Sequence, residues 1–315
     1  MKLFRALPIL FLAVCLQALC QGQAKAKPIG VWADAQLKNI ELPSLPWHMM
    51  VIYWHFKDSI PDFNRLDIDI TIDRDIPDAY NLYISPVNSD FNGETFYGGL
   101  QTNINGWANK ESRKRVHPGK GGIFSRWSKD KKTPIGLEHV DMLENGLCES
   151  AGYEGEFCSV RRPYPWTKGV YTFSLVKEET VLFKDTLHTW VALEVTDKNK
   201  SEAYRIGRLL FLGDTLKLRQ NIAAFLEIYS TEKIPKSDIP EARVTFGYPR
   251  INGRELPLYN VMAMYPTSGQ ASSPNVAEVT SENNDISVSI APVVKPSSKN
   301  NIYQFIELKG GLQQR

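Results

Sequence analysis

The sequence predicts an all-β fold, an antiparallel β-sandwich with a strand-containing C-terminal addition. Apolar residues recur with period two in short runs, and polar clusters rich in Gly, Pro, Asn and Ser separate those runs. No segment sustains helical spacing over a typical helix length.

Taken in chain order, VIYWHF at 51–56 is the first run. In LDIDITID, Leu66, Ile68, Ile70 and Ile72 alternate with Asp67, Asp69, Thr71 and Asp73, the pattern of a strand with one dry and one wet face. Pro61 and Pro77 punctuate that unit. NLYIS (81–85), TFYGGLQ (95–101), GIFSRW (122–127), VYTFSLV (170–176) and TWVALEV (189–195) repeat the pattern. RLLFLG (208–213), AAFLEIY (223–229), RVTFGY (243–248), ISVSI (286–290) and YQFIEL (303–308) complete it. Two stretches admit a helix. IGLEHVDMLENG (135–146) is restricted by Gly136 and Gly146 to a short helix or loop, whereas LKLRQNIAAFLEIYS (216–230) suits a helix by propensity, yet its strand-like neighbours favour a strand.

The first residues read as processing signal. Lys2 and Arg5 precede an apolar run from Ala6 to Leu19, and small residues at Ala18 and Cys20 mark a cleavage point. The expected organisation is a signal peptide over 1–20, a sandwich domain over 28–265 and an extension over 266–315, where PTSGQASSPN and VVKPSSKNN read as linkers. No later segment is apolar for long enough to span a bilayer, so the expected product is secreted, extracellular and free of membrane.

The chain of 315 residues carries 37 Lys and Arg against 35 Asp and Glu, a net charge of +2. That balance, with export, argues against nucleic acid as partner. Charge is nevertheless concentrated locally. Lys110, Arg113, Lys114, Arg115, Lys120, Arg126, Lys129, Lys131 and Lys132 face only Glu111 and Asp130 in the same stretch, a field suited to sulphate, phosphate or carboxylate groups.

Of the cysteines, Cys15 and Cys20 fall in the leader and Cys148 and Cys158 in the mature chain, where an oxidising compartment would pair them as a local clamp. Asn199-Lys200-Ser201 is an acceptor for N-glycosylation in a turn-like segment. His48, His55, His117, His139 and His188 are dispersed, without HExxH, and no serine lies in GxSxG. No metal centre or cofactor is expected from these residues. Structural calcium on the acidic strand is a minor addition, without an EF-hand loop to hold it.

Aromatic residues crowd the glycine-rich middle third. Trp107, Trp127, Tyr153, Tyr164, Trp166 and Tyr171 offer flat faces for stacking on a sugar, or else pack the core and turns. Arg126, Arg161 and Arg162 add planar donors for a carboxylate or sulphate. The candidate ligand-binding set is therefore Trp107, Lys114, Arg115, Arg126, Trp127, Arg161, Arg162, Tyr164 and Trp166.

Tyr97-Gly98-Gly99-Leu100-Gln101, Phe124-Ser125-Arg126-Trp127, the segment GEFCSVRRPYPWTKGVYTFSLV, and Phe246-Gly247-Tyr248 follow one another in a fixed order. In these pieces the chain resembles a family of exported proteins known as domain of unknown function 3472, over residues 51–254, with the last motif altered in order. The resemblance implies an extracellular β-rich domain with jelly-roll topology and a carbohydrate-related setting. It carries over no catalytic residues, and fold alone does not fix function.

Three readings follow. The favoured one is a secreted protein that binds neutral or sulphated glycan, or other components of the extracellular matrix, through its aromatic and basic surface. The alternative is a carbohydrate-active hydrolase or lyase built on a carboxylate pair or a His/Tyr/Arg site; Asp67, Asp69 and Asp73, or Glu138, Asp141 and Glu144, would supply the carboxylates. A non-lectin structural matrix protein is the third.

Overall fold

Period-two alternation decides the architecture, because each strand with one dry face needs a second sheet to cover it. The computed structural model describes residues 47–78, 81–229, 239–265, 276–292 and 303–308. Their strands begin with β1 (Trp47–Phe56), β2 (Arg65–Ile72), β3 (Leu82–Phe91), β4 (Glu94–Trp107), β5 (Arg115–Trp127) and β6 (Val140–Asp141). The middle of the chain gives β7 (Leu147–Ala151), β8 (Phe157–Pro163), β9 (Gly169–Phe183), β10 (Thr186–Asp197), β11 (Glu202–Leu212) and β12 (Asn221–Ile228). After these come β13 (Ala242–Phe246), β14 (Arg250–Ile251), β15 (Arg254–Glu255), β16 (Leu258–Met264), β17 (Ala277–Glu282), β18 (Asp285–Ile290) and β19 (Tyr303–Phe305).

Two large antiparallel sheets form a broadly sandwich-like whole. One has nine strands in the order β19-β16-β1-β12-β3-β4-β5-β8-β7; the other has ten, with β17-β18-β13-β2-β9-β10-β11-β6 as its main path and the β14–β15 hairpin attached to β2. Leu66, Ile68 and Ile70 of β2 are fully buried between the sheets, each contributing roughly 1.5–3 kcal/mol of apolar burial. From the opposite sheet Phe91, Phe96 and Phe124 meet Phe211 of β11, with ring centroids between 5.1 and 6.0 Å apart. At Gly122 the sheets approach so closely that a Cβ would stand 2.4 Å from Ile206 Cδ1.

The two ambiguous stretches resolve through tertiary position. Segment 221–228 is β12, hydrogen-bonded to β1 and β3 in the middle of the nine-stranded sheet. Its Ile222, Ala224 and Leu226 join the inter-sheet core while Ala223 and Phe225 lie in a second apolar cluster on the outer face. Burial on both faces replaces alternation with a continuous apolar run, which is why the segment reads like a helix. Segment 135–146 contributes one 3-10 turn, Leu137–His139, leading into β6.

Beyond residue 266 the described strands belong to these same sheets: β18 pairs with β13, and β19 with β16. The expected leader at 1–20 and the linker-like stretch 266–275 lie outside the described residues.

The expected disulfide is not formed. Cys148 and Cys158 are both free and buried. They sit on adjacent strands but not opposite one another, since Cys148 partners Val160 and Cys158 partners Ser150. Such a diagonal leaves Cα atoms roughly 7–8 Å apart, beyond the usual span of a bridge. The expected picture of a disulfide-bonded protein is corrected here, because both thiols are free; among the described residues no feature supports secretion, glycosylation, carbohydrate binding or a matrix role. Of that picture, the sandwich shape alone is seen. Asn199 stands in an exposed turn between β10 and β11. Among the described residues no helix is long and apolar enough to cross a membrane.

Candidate functional site

Alternation that sends Leu82 and Ile84, Phe96 and Leu100, and Leu226 and Ile228 into the core sends Tyr83, Tyr97, Gln101 and Glu227 to the outer face of the nine-stranded sheet. Antiparallel register aligns four strands there: His48 of β1 is opposite Glu227 of β12, Glu227 opposite Tyr83 of β3, and Tyr83 opposite Gln101 of β4. A second row runs Tyr97, Ser125, Ser159 and Glu149 across β4, β5, β8 and β7.

Unusually for an outer face, these polar side chains are buried. Gln101 and Glu149 are each 1 % exposed, Ser159 is fully buried and Glu227 is 6 % exposed. Glu149 is clamped by Arg161, with Nη1 2.9 Å from Oε2, and by Arg115 on its other oxygen. Burial opposes its charge, but the two guanidiniums outweigh that and hold its pKa below the ordinary carboxylate value. Glu227 accepts from His48 Nε2 at 2.6 Å. Gln101 hydrogen-bonds the Tyr83 hydroxyl. Among the described residues, the Gln101 Oε1 and Ser159 Oγ find no hydrogen-bond partner.

Aromatic rings floor the face. Tyr83 stacks on Tyr97 and Tyr229 at 6.4 and 6.0 Å, and Tyr97 meets Trp127 at 5.6 Å. The turn between β7 and β8 folds over them, anchored where Trp127 Nε1 donates to the Glu154 carbonyl at 3.1 Å and where the Tyr153 hydroxyl donates to Glu149 at 3.3 Å. Glu154 is exposed as a residue. Its carboxyl, however, sits against the cluster beside Tyr229, and burial there, with Glu227 and Glu149 nearby, raises its pKa despite the Tyr229 hydrogen bond. Tyr229 is pushed up to about 12 by burial and by the Glu154 charge. One face thus carries a carboxyl biased toward its protonated form, that of Glu154, and a neighbouring carboxylate biased toward ionisation, that of Glu149, the opposed directions that acid–base chemistry uses.

Among the sequence-derived candidates, Arg115, Trp127 and Arg161 join this face. The others lie apart. Arg126 points between the sheets, 2 % exposed, bonded to Glu94 at 2.5 Å and stacked over Phe211. Trp166 is 1 % exposed and donates to the Gln101 carbonyl at 3.0 Å, so its ring offers no face to a ligand. Arg162 covers Tyr204 at 4.4 Å, and Tyr164 stacks on the same ring at 4.9 Å. Trp107 is half-buried under the Arg113 guanidinium, while Lys114 is exposed.

Neither carboxylate set drawn from the sequence forms a site. Asp67 and Asp69 are tied to Arg65, Arg250, Lys198, Ser174 and Thr172. Glu138 pairs with Lys184 and Asp141 with Arg208. Those bonds occupy the oxygens that calcium would need, and among the described residues no group of three His, Cys, Asp or Glu suits a metal. Glu149, Glu154, Glu227, Tyr83, Tyr97, Tyr229, Gln101 and His48 went unrecognised as a group. The signal for three of them was available: Tyr97 and Gln101 in YGGLQ and Glu227 in FLE stand at outer positions, where alternation already placed the core on the other side.

No family model matches the chain, and no curated protein matches it. Among solved structures, the chain is similar to Scytalido-glutamic peptidase with a peptide-based transition state analog, at TM-score 0.39 and 8 % identity over 78 % of this chain and 100 % of that one. A second structure of that peptidase, with a transition state analog inhibitor, gives TM-score 0.38 and 8 % identity, covering 78 % and 98 %.

Proposed function

We propose that the chain is a hydrolase whose reaction centre is the outer face of the nine-stranded sheet. The observation that carries this reading is that Glu154, on an exposed turn and with a raised pKa, shares one face with the buried carboxylate of Glu227 in a solvent-poor aromatic setting. Burial and the neighbouring carboxylates bias Glu154 toward its protonated form. Glu154 then donates that proton to the leaving group, and Glu227 takes one from the attacking water. The Gln101 amide and Tyr83 hydroxyl, aligned in the same row, stabilise the developing oxyanion. Glu149 serves as a fixed negative charge locked by Arg161 and Arg115.

A face spanning several strands suits an extended polymer laid across them, with Trp127 and Tyr229 as stacking surfaces. Turnover of a polysaccharide and protein panel by the wild-type chain, with Glu154→Gln and Glu227→Gln as comparisons, tests the reading. Each replacement is expected to lower kcat by about 100-fold or more, in the range of a lost acid or base. Full activity in both variants would overturn it.

A further inference from the structure

A cavity lies away from this face, at the end of the sandwich where β1 leaves the nine-stranded sheet. Its volume is about 560 Å³, within the range of small-ligand sites. Phe56, Ile60, Ile251 and Leu256 give it apolar walls, and Lys57 and Arg254 stand at its rim.

The walls are fixed by local chemistry. In RINGRE, Ile251 pairs with Arg254 across Asn252 and Gly253, whose φ angles are +51° and +76°. This is the two-residue hairpin that Asn-Gly favours. The Asn252 side chain accepts from the Asn64 and Arg65 amides and donates to the Asp62 carbonyl, with all three distances between 2.8 and 3.0 Å. One side chain therefore staples the hairpin to the opposite wall. Lys57 N donates to the Pro257 carbonyl at 3.2 Å, and the Ile60 backbone bonds Leu218 in both directions. A ligand would meet a preformed cleft and order little on entry.

Charge at the rim is uneven in its commitments. Asp62 pairs with Lys177 at 3.6 Å, and among the described residues no ion pair engages Lys57 or Arg254. We propose that this cleft binds a small amphipathic carboxylate, its apolar body against Ile60, Ile251 and Leu256 and its head on Arg254 and Lys57. A guanidinium and an ammonium converging on one carboxylate favour an anionic head, while Asp58 on the same rim disfavours a second negative charge. This site is independent of the hydrolase reading.

Sodium hexanoate is the probe, titrated into the full chain while the Ile60, Ile251 and Leu256 methyl resonances are followed by NMR. Saturable shifts confined to those methyls are expected, with affinity at least tenfold weaker in the Arg254→Gln, Lys57→Gln double variant. Both replaced side chains are exposed, so methyl spectra of the free variant should retain the folded dispersion. Absence of saturable shifts, equal affinity for hexanol or hexylamine, or unchanged affinity in the variant would each overturn the proposal.

Discussion

Arg161 Nη1 lies 2.9 Å from Glu149 Oε2, and the two side chains are 7 % and 1 % exposed. They come from adjacent strands, β8 and β7, at positions offset by two register pairs. The Arg115 guanidinium reaches the same carboxylate from β5, so three strands meet in one charge cluster. Removal of Arg161 would leave Glu149 buried with a single charged partner, the partly exposed Arg115. Arg161→Met is expected to destabilise the fold by ~3–5 kcal/mol, and adding Glu149→Gln should restore part of that loss. Urea denaturation of both variants checks this, and a loss below 1 kcal/mol in the single variant would remove the pair from the stabilising core of the site.

Activity should depend on the Glu154 proton. Because burial and neighbouring carboxylates raise that pKa, the general acid stays protonated above the usual carboxylate range. Activity is then lost as pH rises through this raised value. Glu227→Gln removes one of the charges that raises it, so the alkaline limb of the kcat/KM profile in this variant is expected to move to lower pH while residual turnover is measured. An alkaline limb indifferent to that replacement would place the titrating acid elsewhere.

His139 supplies a pH dependence of stability away from the site. Burial, with Arg126 nearby, lowers its pKa from 6.5 to about 4. The unfolded chain therefore binds a proton between these values that the folded chain does not, and stability falls as pH drops from 6.5 toward 4. At 1.36 kcal/mol per unit the contribution lost is about 3 kcal/mol. His139→Gln is expected to flatten the dependence over that window, measured by urea midpoints at pH 7 and pH 4.5. An undiminished slope in the variant would assign the acid sensitivity to other groups.

The thiols give a direct check on the corrected pairing. Cys148 and Cys158 are buried, and burial raises both pKa values, that of Cys158 to about 11. Neither is expected to react with iodoacetamide at neutral pH until the chain unfolds. Peptide mass spectrometry before and after denaturation should find both thiols protected and then both alkylated; a linked Cys148–Cys158 peptide would restore the bridge.

Sequence alone determined the fold class and much of the strand inventory, because alternation is a local property that each segment carries by itself. Leu66, Ile68, Ile70 and Ile72 face the core as LDIDITID reads. The site was legible only in part. Arg115, Trp127 and Arg161 stood out by residue type, but the residues that share their face come from distant segments brought together by sheet order, which no local pattern encodes. Arg126 shows the same limit in reverse: a charged residue in a basic stretch lies between the sheets because Glu94 of β4 meets it there at 2.5 Å. His48, Glu227, Tyr83 and Gln101 become one row solely through the pairing of β1, β12, β3 and β4. Alternation tells each residue which face it takes; long-range hydrogen-bonded register decides which other residues share that face.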